Sequence, residues 1–251
     1  MRHELAWSVE ETDAAVVMVV CGDLVRRSAT NLAKVLRKLL LDRGRLLVDV
    51  SGVHLGWPPA AALFGTALSS AGGWPLARLV LVDGGGSVTA GMCAAGFMAE
   101  VPVVTDRISG RVALGSRPRR VRRASGLPLG PRSPGFAREL VRSACKDWGV
   151  ENELRRAETI ANELVTNAVV HTSGRSALVL SHDHRGLTVA VWDAGTSDVV
   201  ALTTAVVPAD SFGLRIVEEL SDRWGVTPHD DGKTVWALIA PRSVKTREAG
   251  C

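Results

Sequence analysis

Glu163, Asn167 and His171 recur at every fourth position. On a helix that spacing lays them along one stripe. Leu164, Val165, Ala168 and Val169 cover other parts of the same segment. A Glu and an Asn turned inward are costly unless they bind something; turned outward, they are an ordinary solvated face. Further on, Asp193 offers a carboxylate at the end of the apolar stretch Leu187–Trp192 and runs into the flexible pair Ala194-Gly195. Gly213-Leu214 then opens a helix, whose free backbone N–H groups and positive dipole end suit phosphate oxygens. Gly232-Lys233-Thr234 begins the last strand signal.

Other patterns fail as sites. Gly232-Lys233-Thr234 looks like the end of a phosphate-binding loop, but that motif needs a glycine five residues before Gly232, where Thr227 stands. His182-Asp183-His184 has the residue types of a metal tract, yet it falls in a hairpin turn and reads as a solvated loop. His171 reads as a helix-end residue rather than a catalyst. The cysteines, Cys21, Cys93, Cys145 and Cys251, form no CxxC pair and no metal-ligand spacing with a His, as in a reduced intracellular protein.

The elements that must position these residues fall into two sets. The chain has 251 residues, 46% hydrophobic and 22% charged, enough for two domains with their own cores. Strand signals at Ala15–Val20, Leu46–Val50, Leu79–Val82 and Val101–Val104 alternate with helical signals at Ser28–Leu41, Pro59–Ser69 and Ser87–Ala99. A parallel or mixed sheet with covering helices is expected. Gly115–Pro134, rich in Arg, Pro, Gly and Ser, reads as a linker. The second half has helices at Phe136–Trp148, Glu151–His171 and Phe212–Asp222. Its strands are expected at Ala177–His182, Leu187–Trp192 and Thr234–Ala240, the first two joined as a hairpin through Asp183-His184-Arg185-Gly186. Helices followed by an antiparallel-leaning sheet give a two-layer α/β sandwich. The longest uncharged stretch, Ser51–Ala77, is broken by Pro58-Pro59, Gly72-Gly73 and Pro75, so no membrane span is expected. No signal peptide is read at the N-terminus, since acidic Glu10, Glu11 and Asp13 precede the apolar run Ala14–Cys21.

In order and separation, four segments of the second half resemble the GHKL superfamily and, within it, anti-sigma-factor serine kinases. They are Glu163-Leu-Val-Thr-Asn167-Ala-Val-Val-His171, Val191-Trp-Asp193-Ala-Gly195, Phe212-Gly213-Leu-Arg-Ile-Val217 and Gly232-Lys-Thr234-Val-Trp236. The resemblance covers residues 131 to 240. It implies a Bergerat-type two-layer α/β sandwich, ATP and Mg²⁺ as ligands, and serine/threonine kinase activity. Asn167 is implied to hold the Mg²⁺ that bridges the phosphates, and Glu163 to be the base for an attacking serine. Asp193 is implied to accept from the adenine amino group, with Thr234 supporting the base directly or through water. Gly195 and Gly213 would let the backbone approach the nucleotide, with Leu214 beside them. One departure stands out: the family's G-x-G-L has Ser211 at its first glycine, in Ser211-Phe212-Gly213-Leu214.

Residues 1–115 resemble a STAS domain of the anti-anti-sigma type, on Val48-Asp49-Val50-Ser51-Gly52-Val53 and on the βα order. Where phosphorylatable members carry D-S-S/T-G, this chain has Trp57-Pro58-Pro59-Ala60. No hydroxyl remains there, so a docking or autoinhibitory module is expected rather than a phosphoacceptor. The expected organisation is a STAS-like domain over 1–115, a basic linker over 116–130 and an ATP-binding domain over 131–251. The resemblance implies a cytoplasmic regulator, homodimeric as family members commonly are, whose partners are a sigma factor or a separate anti-anti-sigma (STAS) protein. Two alternatives stay open. One is a catalytically degenerate interaction protein with the same folds. The other is a nucleic-acid binder using the acid-free window between Asp106 and Glu139, which holds nine arginines but a single aromatic, Phe136. Net charge is +4 and the pI about 9.2.

Overall fold

The computed structural model describes residues 3–12, 15–171, 174–195 and 212–241. The chain divides into two compact units, Met1–Arg123 and Ala124–Cys251.

The first unit is a five-stranded mixed sheet in the order β1-β2-β3-β4-β5, made of Ala6–Thr12, Ala15–Leu24, Arg45–Leu55, Arg78–Val82 and Val103–Val104. β1 pairs antiparallel with β2, and the remaining neighbours are parallel. Parallel neighbours need crossover helices, which are α1 (Arg26–Arg43), α2 (Ala62–Ser70) and α3 (Ser87–Ala94). Ala29, Leu32, Leu36 and Leu40 form one buried face of α1. They pack with Met18, Val20, Val48, Val50, Leu79 and Leu81 from one side of the sheet. Each fully buried Leu or Val there contributes about 1.5–3 kcal/mol. The other side, Val17, Leu47, Val80 and Val82, packs against Leu114 of α4 (Arg107–Gly115).

Three elements of this unit lie outside the expectation. β1 and α4 were not anticipated, and α3 stops at Ala94 instead of Ala99. Pro58 and Pro59 begin a short 3-10 turn, Pro58–Ala61, ahead of α2. Proline is tolerated at such a start because its missing N–H would have no partner there.

The second unit carries the sheet β6-β7-β8-β10-β9. Its strands are β6 (Val121–Gly126, whose first three residues fall before the unit boundary), β7 (Ser176–Asp183), β8 (Gly186–Asp193), β9 (Arg223–His229) and β10 (Gly232–Ile239). β7–β8, β8–β10 and β10–β9 are antiparallel. The hairpin at 183–186 forms as expected, with Asp183 opposite Gly186. The helices are α5 (Ser133–Trp148), α6 (Leu154–His171, after a 3-10 turn Glu151–Glu153) and α7 (Phe212–Leu220). Leu187, Val189, Val191, Val235, Ala237 and Ile239 are buried, as are Ile160, Ala161, Leu164, Val165 and Ala168 of α6 and Leu214 and Val217 of α7. One face of the sheet is therefore covered by helices, the expected α/β sandwich.

The linker reading of 116–130 is corrected in its middle, where Val121–Gly126 is a strand. Three of its five arginines are not part of a free basic strip. Arg123 is buried, Arg120 lies 3.6 Å from the Glu100 carboxylate, and Arg122 donates to Ser69 Oγ at 3.3 Å. Alternation hid the strand: Val121 and Arg123 share the inward side, and an inward arginine breaks an apolar period.

Candidate functional site

α6 buries its Ala157, Ile160, Ala161, Leu164, Val165 and Ala168 face. Glu163 and Asn167 sit at its flank and are half-buried. What meets them is the start of α7. A Cβ placed on Gly213 would stand 2.8 Å from Glu163 Oε2, 3.6 Å from Asn167 Oδ1 and 3.7 Å from Asn167 Nδ2. Only glycine lets the first turn of α7 approach this closely, since a real Cβ almost never lies within 3.0 Å of another heavy atom. The structure thus joins three of the expected residues, Glu163, Asn167 and Gly213, at one point. Asn162, not singled out in the sequence, donates from Nδ2 to Glu163 Oε1 at 3.2 Å and holds that carboxylate. Leu214 is buried and anchors α7 beneath the junction.

β8 packs against α6 and ends at Asp193, which is 2% exposed. One carboxylate oxygen, Oδ1, accepts from the Gly195 N–H at 3.0 Å, so Gly195 closes a tight turn around the carboxylate. Gly232, at φ +150°, lies against this turn. A Cβ there would meet the Asp193 carbonyl and come within 3.0 Å of Ala194 Cα.

The expectation that Thr234 shares the Asp193 end of the site is corrected by the register. Asp193 pairs with Lys233, and Thr234 pairs with Trp192. Directly opposite residues point to the same face of a sheet. Lys233, 7% exposed, therefore shares the helix-covered face with Asp193. Thr234 is on the other face, its hydroxyl 2.9 Å from His229 Nε2 of β9. The signal was present in the sequence, because Lys233 and Thr234 are adjacent and a period of two separates them. A Lys on a buried face was not sought.

His171 ends α6, and its side chain lies outside the described residues. Ser211 and the Thr196–Ser211 loop lie outside them too, so the departure at the first glycine has no structural description. Asp183 is paired with Arg185 at 2.9 Å within its turn. Cys145 is buried among the helices, and burial, with Glu151, Glu158 and Glu153 nearby, pushes its thiol up to about 12. Such a thiol carries no thiolate at neutral pH and is inert. No helix among the described residues is long and apolar enough to cross a membrane.

The second unit thus carries a Glu–Asn pair on one helix with a glycine-opened helix start against it, and a turn-bound Asp at the end of a strand that packs on the same helix. Residues 128–239 match the histidine kinase-like ATPase domain family. The match covers every residue of the ATPase-like site named above. Among solved structures, the chain is similar to an anti-sigma factor antagonist from Mycobacterium paratuberculosis at 18% identity and a TM-score of 0.40, over 45% of this chain and 96% of that one. It is also similar to the anti-sigma factor antagonist SpoIIAA in its unphosphorylated form at 11% identity and a TM-score of 0.37, over 45% and 99%. No curated protein matches.

A histidine kinase-like ATPase domain implies ATP as ligand, typically with Mg²⁺. Glu163 and Asn167, brought together beneath Gly213, offer a carboxylate and an amide oxygen, hard donors of the kind that Mg²⁺ takes.

Proposed function

We propose that this chain is an ATP-binding regulator of the anti-sigma type, whose second unit binds Mg²⁺-ATP and phosphorylates a serine or threonine of a separate anti-anti-sigma partner. The reading rests on the approach of Gly213 to Glu163 and Asn167. In it, the N–H groups at the start of α7 face the phosphates. Asn167 would hold the Mg²⁺, whose chemistry would be charge neutralisation on the phosphates. Glu163, oriented by Asn162, takes the proton of the attacking hydroxyl. Asp193, fixed by the Gly195 N–H, accepts from the exocyclic amino group of the base. The first unit serves as a docking module: it presents no hydroxyl at Trp57-Pro58-Pro59-Ala60 to be phosphorylated. Sigma factor as a direct partner, a homodimer and a cytoplasmic location belong to the same reading.

A second reading, an interaction protein without transfer activity, is favoured by one observation. A buried ammonium, Lys233, shares the face of the carboxylate that the base would need.

Calorimetric titration of the full chain with Mg²⁺-ATP, beside Asn167→Ala, tests the site. Saturable binding that is lost in the variant supports nucleotide binding. Equal affinity in both chains removes Asn167 from the site, and no heat at millimolar ATP leaves the second reading.

A further inference from the structure

The first unit contains a basic cavity that the proposed function does not use. It measures about 430 Å³ and lies beside the edge strand β5. Arg78, Arg117 and Arg119 line it together with apolar Met98, Pro102, Val103 and Ala113, and no acid lines it.

Arg78 is the informative residue. It is 4% exposed, at the first position of β4. Its terminal nitrogens donate to two carbonyls, Glu100 O at 3.1 Å and Ala113 O at 3.2 Å, while its Nε has no partner among the described residues. No carboxylate is paired with it there; the Glu100 carboxylate is instead associated with Arg120. Burial alone draws the guanidinium down to about 10, with no acid acting to raise it. A buried charge with two neutral acceptors and no counter-ion is poorly compensated. The two further arginines are exposed at the cavity and add positive potential. Arg117 is braced over the Trp74 ring at 5.0 Å, which limits its freedom.

We propose that this cavity binds a small organic anion, a carboxylate or sulfonate with an apolar body. The anionic head supplies the counter-charge that Arg78 lacks, held by Arg117 and Arg119, and the body lies on Met98, Pro102 and Val103. Inorganic phosphate is a poor occupant, since it leaves the apolar wall uncovered. A nucleic acid is a poor occupant of a cavity this size, and the arginines that line it account for only part of the acid-free window.

The test is a fluorescence titration of the full chain with 8-anilinonaphthalene-1-sulfonate, which has both the charge and the apolar body. Three variants accompany it. Arg117→Gln with Arg119→Gln neutralises exposed side chains and leaves the core intact. Ala113→Trp fills the cavity from half-buried α4 and is checked by circular dichroism. Asn167→Ala reports on the nucleotide site of the other unit. One saturable site is expected, weakened at least tenfold in the double variant, abolished by Ala113→Trp and unchanged by Asn167→Ala. Equal affinity in the parent and the double variant overturns the proposal. So does loss of binding in Asn167→Ala, which would place the probe in the nucleotide site, and so does the absence of saturable binding at millimolar probe.

Discussion

The turn after β3 and the start of α7 are both places where a helix begins beside polar chain, and they have gone opposite ways. After β3 the helix start is Trp57-Pro58-Pro59-Ala60. Two prolines remove two N–H donors, and no side chain offers a hydroxyl. At α7 the start is a glycine whose missing Cβ admits Glu163 and Asn167. The first turn keeps the fold and gives up donors; the second keeps donors and polar partners at close range. Fold needs only apolar periodicity on the buried side, as in Leu32, Leu36 and Leu40 of α1 or Leu164, Val165 and Ala168 of α6. Chemistry needs specific atoms on the flank, and of these two helix starts only the second brings a carboxylate and an amide to it.

The sharpest way to break this contrast is Gly213→Val. Its Cβ would collide with Glu163 Oε2, pushing α7 from α6. Affinity for Mg²⁺-ATP should fall by on the order of a hundredfold, ~2.7 kcal/mol. Pro58→Ala with Pro59→Ala, which restores donors at the other turn, should leave that affinity unchanged. Calorimetry on both chains decides; a Gly213→Val chain that binds normally would mean that α7 does not border the nucleotide.

Glu163→Gln comes next. It keeps the size and one acceptor, so ATP should bind nearly as before. Phosphate transfer to an added anti-anti-sigma protein should drop by about 10²–10⁴-fold, the usual share of a general base. Radiolabel transfer measures it, and a fully active variant would strip Glu163 of that role.

How much of this was legible beforehand follows the same division. The apolar strands and helices were readable because Val16 to Val20, Leu46 to Val50 and the α1 stripe carry plain periods. β1 was missed because it is an edge whose Trp7 and Val9 are exposed, so its apolar residues do not mark a core face. β9 was missed because Gly225 and Pro228 argue against a strand; an edge strand tolerates both. α4 was missed because Gly110 breaks a short helix, yet a Cβ there would sit 2.5 Å from Leu47 Cδ1, so the glycine is what lets α4 lie on the sheet. In the candidate site, order along the chain singled out Glu163, Asn167 and Gly213, which the structure brings together, and Asp193, which it places at the end of β8. The same order misassigned Thr234, because facing depends on register with β8, a pairing between segments some forty residues apart.

That misassignment gives a smaller test. If Lys233 holds the Asp193 carboxylate, it competes with the amino group of a bound base. Lys233→Thr should then tighten ATP several-fold and sharpen the preference for ATP over GTP in calorimetric titrations. Weaker ATP binding in the variant would mean that Lys233 is part of the nucleotide site.

The smallest effect contrasts buried charge in the two units and is read as a sign. Asp193 faces a cation in its register partner, whereas Glu100 is 6% exposed and its carboxyl is pushed up by burial, against the opposing pull of Arg120 and Arg122. A raised carboxyl means that the folded chain holds the proton more tightly than the unfolded one. Its stabilising contribution is therefore full below the ordinary carboxylate range and is lost as pH rises through the raised value. Gln cannot ionise, so Glu100→Gln should gain stability relative to the parent as urea unfolding is moved from acid to neutral pH. A relative loss over the same interval would mean that attraction to Arg120 outweighs burial, and that the first unit compensates its buried carboxylate as fully as the second does.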